Sequence, residues 1–371
     1  MKKLLTYKRI YLLLLMPISL ILILLAKKSS FFSEQIYAKH IYRIFSRIIS
    51  LITGLFPFSV AELIVIALPI ALLIIVVRFL LLLILDKKER RDRWIKGLLN
   101  LFCTLSILLF LFTILGGLNY YRYPFITYSN LEITDSSVEE LYALTDSLMQ
   151  EANTLRAEVI MTDSQGVFQL SMSDTELAKE ANQAYRQLAK AYPVLSGAYA
   201  APKPILLSKL MSQTEITGIF FPFTMEANVN VDVPDYSIPA TMLHELAHLR
   251  GFMREDEANY IAYLAGMSSD DVELQYSSTM LALIIAGNAL YDASPNLYFT
   301  IREQYSEGVI SDIRANSVYW QQFEDTVVST VSNKLNDTYL KANAQTDGVQ
   351  SYGRMLDLLL AKYRKDQELK K

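Results

Sequence analysis

Two of the three histidines in this 371-residue chain stand four residues apart, in the string His244-Glu245-Leu246-Ala247-His248. On a helix, residues four apart share a face, so both imidazoles can grip one metal ion. Glu245 lies one step round the helix, where its carboxylate can take a proton from a water on that ion. The chemistry this spacing suits is hydrolysis by an activated water, and the metal that suits it is zinc.

Zinc needs a third protein ligand and an open position. The chain continues Leu249-Arg250-Gly251-Phe252-Met253-Arg254-Glu255-Asp256-Glu257-Ala258-Asn259-Tyr260. One known arrangement places a histidine three residues after the glycine, but that place holds Arg254, and a guanidinium cannot ligate a metal. Three carboxylates follow, Glu255, Asp256 and Glu257, and Asp256 is the weakest of the three candidates for the third ligand; Asn259, one turn beyond Glu255, could orient a ligand histidine. An ordinary acidic helix start would use the same three carboxylates without a metal, but it leaves the pairing of the histidines unexplained.

The anion formed during attack needs a hydrogen-bonding or positive group opposite Glu245. The remaining histidine, His40, falls in a membrane-adjacent stretch and reads as a plain interfacial residue, so this role passes to a tyrosine or an arginine. In Asp347-Gly348-Val349-Gln350-Ser351-Tyr352-Gly353-Arg354, two glycines surround polar residues just before an apolar helix. Tyr352 and Arg354 are the candidates; the alternative is that they only dock the last helix. A peptide substrate pairs with an edge strand, which Thr217 to Phe223 or Ala227 to Val231 could supply. Phe220, Phe221 and Phe223 read as core.

The elements that must position these residues begin in a membrane. Residues 1–118 hold three apolar runs, at about 10–26, 60–85 and 95–118, each long enough to cross a hydrocarbon core of about 30 Å. No small-x-small cleavage site follows the first run, which reads as an uncleaved anchor. Arg78, inside the second run, is expected to snorkel or to pair within the bundle. The loop with Lys87, Lys88, Arg90, Arg91, Arg93 and Lys96 is the most basic and should be cytoplasmic. The N-terminus is then inside and everything after Leu118 is outside, with ten basic residues on the inner side against Lys27, Lys28, Lys39, Arg43 and Arg47. Ile36 to Phe56 has the pattern of an interfacial amphipathic helix.

Residues 119–371 form the second part. Tyr120 to Asn130, with Pro124, reads as an extended connection. Ser136 or Ser137 caps a helix to about Arg156, and Asp174 starts another to Tyr192. Strand signals follow in Pro204 to Ser208 and Thr217 to Asp232. A helix from about Ser237 carries the histidines. Beyond Gly251 the pattern is helical, with breaks near Ser268, Ser294 and Ala344 to Gly348, and Met280 to Ala286 reads as a core helix. The charged tail from Lys362 reads as a solvated helix end.

The chain is 52% apolar with a formal net charge of -3, which fits partial residence in lipid and gives no electrostatic reason to expect nucleic acid as a partner. Its one cysteine, Cys103, excludes an internal disulfide and a thiolate metal site.

Together, the membrane helices, the block HELAHLRGFMREDEANYIAYLA and the closing block DGVQSYGRMLDLLLA resemble a bacterial family of membrane-anchored zincin-like proteins catalogued as a domain of unknown function. The stretch Glu255-x-x-Ala258-Asn259 is similar to the E-x-x-A-D and E-x-x-A-N segments of gluzincins. It departs from them in Asn259, where aspartate is commoner, and in a shorter gap from His248 to Glu255. The expected fold is N-terminal transmembrane helices followed by a mainly α, α+β zincin-like metallopeptidase domain outside the cytoplasm. The expected protein is a multi-pass cell-membrane zinc metalloendopeptidase, with the lipid bilayer and a peptide or protein substrate as partners. Its zinc ligands are His244, His248 and Glu255, and its general base is Glu245. A non-catalytic zinc-binding envelope sensor or scaffold is the alternative, and such a protein would not need Glu245.

Overall fold

The computed structural model describes residues 8–85, 88–343 and 354–369. Three of its helices are long and apolar enough to cross a membrane. The first spans Lys8–Lys28, a 3-10 start followed by α1 (Leu15–Lys28). After a π-helical segment, Phe32–Tyr42, comes α2 (Arg43–Thr53). The other two apolar helices are α3 (Val60–Leu85) and α4 (Arg90–Leu115). The third span thus starts five residues before the expected 95 and stops before 118. An Asp92–Lys96 ion pair of 2.5 Å supports its charged first turns, and Gly116-Gly117 end it.

The first span packs along α4, where Ser106 donates to the Leu12 carbonyl at 2.9 Å and the buried Cys103 thiol faces the Arg9 carbonyl. Most of α3 is bare apolar surface, as lipid contact demands. Arg78 is exposed on it, which leaves the snorkelling route.

Residues 29–59 differ from a simple surface helix. Ile44, Phe45, Ile48, Leu51 and Ile52 form an exposed apolar face, but Tyr37, Ala38, Tyr42, Ser46 and Ser50 are buried. Glu34 is fully buried and accepts two bonds from Arg122, at 2.8 and 3.0 Å. Arg43 and Arg47 donate to the Ser196 carbonyl, and Lys27 lies over the Tyr121 ring. Three of the five basic residues that counted against the topology therefore have partners beyond residue 118. His40 is exposed, as expected. The core runs without a break from Tyr37 and Tyr42 into the globular part, so packing ignores the division placed at residue 118.

The connection after α4 is not extended. It coils into 3-10 turns at Gly117–Tyr121 and Phe125–Tyr128. Phe125 is fully buried against Phe252 and Tyr260, with ring centroids 5.3 and 6.1 Å away. Burying aromatic area outweighs the chain's local tendency here.

Helices α5 (Val138–Glu158) and α6 (Asp174–Ala191) each start with a full capping box, Ser137 with Glu140 and Ser173 with Glu176. Next come β1 (Lys203–Pro204), a short α7 (Ser208–Ser212), β2 (Gly218–Phe221) and β3 (Glu226–Val229). The expected strand at Pro204 to Ser208 thus ends at Pro204, and a turn leads into helix only at Ser208. The sheet order is β1-β3-β2, with β2 antiparallel to β3, so β2 is an edge.

Helix α8 (Ile238–Leu249) carries the histidines, with Pro239 in its first turn. It packs on α9 (Glu255–Met267) and the long α10 (Val272–Ala293), which buries Met280, Ala282, Leu283 and Ala286. Then follow α11 (Pro295–Arg302), α12 (Glu307–Gln321), α13 (Val327–Ala342) and α14 (Met355–Leu369). The break expected at Ala344 to Gly348 lies outside the described residues. The charged tail is docked: Arg364 on α14 forks onto Glu140 at 2.9 and 3.0 Å.

Candidate metal centre

The period of α8 sets His244 and His248 side by side, with ring centroids 4.6 Å apart. The chain then reverses at Gly251, whose φ of +88° suits glycine. A Cβ there would meet the Tyr42 ring at 3.0 Å and Arg122 at 3.2 Å. This tight turn lets α9 start beside α8, with Glu255 as its first residue.

Glu255 Oε2 lies 3.2 Å from His244 Nε2, and Oε1 lies 3.6 Å from His248 Nε2. One ligand atom from each of the three residues falls within 4.8 Å of the others. Bonds of about 2.0–2.1 Å at tetrahedral angles put ligand atoms about 3.3 Å apart, close to the two distances from Glu255 to the imidazoles.

The far ring nitrogens are fixed. His244 Nδ1 donates to Asn259 Oδ1 at 2.7 Å, and His248 Nδ1 to the Phe252 carbonyl at 2.7 Å. Both Nε2 lone pairs are thereby turned to the common point. Burial works against charge on both His248 and Glu255. The mutual attraction wins: Glu255, aided by Glu245, pushes His248 up to about 9, and the two imidazoles hold the Glu255 carboxyl well below the usual range.

Glu245 is buried, and burial raises its carboxyl. It accepts the Phe220 N–H of β2, yet its Oε2 has no hydrogen-bond partner among the described residues. An orphaned buried acceptor beside two converging imidazoles fits a water that shares the metal. Gly218 makes this possible: a Cβ there would fall 2.5 Å from Glu245 Oε1. The edge strand therefore lies directly on the candidate base. Gly218 was not singled out in the sequence; a glycine within an apolar strand pattern is the signal of a close approach.

Glu257 is turned away. Its carboxylate accepts the Phe125 N–H at 2.8 Å and Arg254 at 3.0 Å. Asp256 is half-buried and feels the charge of Arg354. Arg354, exposed at the start of the last helix, thus stands near the acidic end of α9. Tyr352 lies outside the described residues.

A residue on a distant element feels the charge of Glu255. Tyr339 on α13 accepts a bond from the Tyr120 hydroxyl at 3.1 Å and packs its ring on Phe112. Desolvation of its hydroxyl and the nearby Glu255 charge raise its pKa, against the opposing bond from Tyr120. Of the three phenylalanines read as core, Phe220, Phe221 and Phe223 are each half-buried along the edge strand and its turn.

A family model described as "Protein of unknown function (DUF3810)" matches residues 37–360. The chain belongs to this family. The match takes in the segment before α3, two of the three apolar helices, the histidine helix and the first turns of α14. The family unit therefore joins membrane-adjacent and globular parts, as the continuous core does. No curated protein and no solved structure matches the chain.

Proposed function

We propose that this protein is a membrane-anchored zinc metallopeptidase of the gluzincin type. The observation that carries the reading is the convergence of His244, His248 and Glu255 beside the partnerless Oε2 of Glu245. His244, His248 and Glu255 would hold the ion, with Asn259 and the Phe252 carbonyl fixing the imidazoles. A zinc ion in such a set supplies Lewis acidity that brings the pKa of a water toward neutrality.

The remaining steps belong to the chain's own groups. Glu245 takes the proton of the attacking water on Oε2 and passes it to the leaving amine. Its raised pKa suits both halves of that task. The open edge of β2 aligns a peptide as an added strand. Tyr339, which feels the Glu255 charge, and Arg354, whose charge reaches Asp256, are our candidates to stabilise the anion that forms opposite Glu245.

The substitution Glu245→Gln tests this. It is near-isosteric and leaves the ligands in place, so zinc content should stay equal while peptide cleavage falls by about 10²–10⁴-fold. A variant that cuts as fast as wild type contradicts the mechanism. A wild type that binds zinc and cuts nothing selects the zinc-stabilised scaffold instead.

We place the globular part outside the cytoplasm. The basic stretch Lys88 to Lys96 runs from the bend before α4 through its first two turns, while Lys27, Arg43 and Arg47 are engaged with the globular part. A reporter active only in the cytoplasm, fused after Lys371, should be silent; strong activity reverses the topology.

A further inference from the structure

We infer that the metal site works at the bilayer surface, and that its substrate is a polypeptide held there by its own membrane anchor and cut close to it. The substrate class rests on the peptidase reading above; the position of the site does not.

Both walls of the site are fastened to the ends of membrane helices. On the strand side, Ser59, the residue before α3, donates to Asn228 Oδ1 at 2.6 Å, and Asn228 Nδ2 donates to the Ile219 carbonyl at 3.2 Å. One side chain thus separates the edge strand from the first residue of a span. Glu226 on β3 accepts the N–H groups of Val60 and Ala61 at 3.0 and 2.8 Å, which ties the sheet to the N-terminus of α3. In return, Glu62 of α3 accepts the N–H groups of Leu206 and Leu207. These bonds satisfy the helix's first donors, which lipid cannot.

On the other side, Tyr339 packs on Phe112, in the last turns of α4. A Cβ on Gly116, just past α4, would lie 3.4 Å from Pro222 at the end of the edge strand and 3.9 Å from Met253. The histidine helix is anchored as well: Tyr42 donates to the carbonyls of His248 and Leu249, and Tyr37 to that of Ile114 in α4.

The surface between these ties is apolar. Leu206 is 76% exposed, Leu210 55% and Ile219 43%, and Leu55, just before α3, is 80% exposed. Ile44, Ile48 and Ile52 on α2 are exposed as well. Such residues at the mouths of three spans suit the interfacial layer of a bilayer. An extended chain advances about 3.3 Å per residue, so a bond about five to ten residues from an anchor reaches an edge strand held at this level. A soluble protein would need to approach between the domain and the headgroups.

Two measurements on the full-length protein in phosphatidylethanolamine and phosphatidylglycerol vesicles test this. The first places a nitroxide at Ile219→Cys in a Cys103→Ala background, with Ile160→Cys as the reference. Ile160 follows α5, whose main packing partners are α10, α11, α12 and α14. The label at 219 should collide with oxygen in preference to a water-soluble nickel complex, and the label at 160 the reverse. Equal nickel access at both positions overturns the inference whether or not the protein is an enzyme.

The second compares a random peptide library carried on a single transmembrane anchor with the same library free in solution. Tethering raises effective concentration, and the anchored library should be cut about 10²-fold faster or more, at bonds within about ten residues of the anchor. Equal rates, or cuts at any distance from the anchor, overturn the substrate class. No cleavage of either library by the zinc-loaded protein overturns the peptidase reading, and the substrate class with it.

Discussion

His244 Nδ1 and Asn259 Oδ1 lie 2.7 Å apart across two helices, so the residue that orients the first imidazole comes from the same short helix as the acidic ligand. Outer partners of this kind typically carry about 10–100-fold in metal affinity. Asn259→Ala should weaken zinc binding by about that factor. Asn259→Asp should keep or tighten it, because a carboxylate makes the imidazole more basic. Competition against a chelator measures both, and an Asn259→Ala variant that holds zinc like wild type removes Asn259 from the site.

The two carboxylates of the α9 start should separate cleanly. Glu255→Gln should lose zinc with the fold intact. Glu257→Ala should keep zinc but lose stability, because the buried Phe125 N–H is left without its acceptor, at a cost of about 1–3 kcal/mol. Zinc content and thermal melting of the two variants read the difference. Zinc lost in Glu257→Ala and kept in Glu255→Gln would assign the ligand to the wrong residue.

Much of this centre was legible in the sequence because it is local. His244, His248, Glu255 and Asn259 lie within sixteen residues; helical periodicity aligns each pair, and the turn at Gly251 sets the two helices side by side. The cap at Ser137 and the helix start at Asp174 were legible for the same reason. Gly218 and Tyr339 were not, since only tertiary packing brings β2 against α8 and Tyr339 within reach of the Glu255 charge. The buried course of 119–131 was hidden by Pro124 and by polar residues that suggest a linker, whereas the burial of Phe125 decides it. The breaks between α11 and α12 and between α12 and α13 contain no glycine or proline; Ser306 and Thr326 make them by capping the next helix. That residues 29–59 form part of the domain's core could not be read from an amphipathic pattern, which shows two faces but not what covers either.

Tyr339→Phe removes one hydroxyl at the site and leaves the ligands alone. Loss of one donor to a developing anion typically costs about 10²–10³-fold. Turnover should fall on that scale with zinc content unchanged. Unchanged turnover takes Tyr339 out of the reaction and leaves the role to Arg354.

The buried pair Glu34–Arg122 joins the membrane-adjacent segment to the turn after the histidine helix, where Arg122 also donates to the Gly251 carbonyl. Glu34→Ala leaves that guanidinium buried without its counter-charge, at a cost of about 3–5 kcal/mol. The melting temperature of the full chain in detergent should drop, and Glu34→Ala with Arg122→Met should cost less than the sum of the two single changes. A single variant that melts like wild type would show that the pair does not join the two parts.

The central claim is one zinc ion held by His244, His248 and Glu255. Metal analysis of the full-length protein purified without chelator, joined to X-ray absorption at the zinc edge, tests it most directly. The account predicts about one zinc per chain in a shell of imidazole nitrogens and oxygens without sulfur, and no zinc in His244→Ala/His248→Ala. Wild type without zinc, or the same zinc content in the double variant, would contradict it.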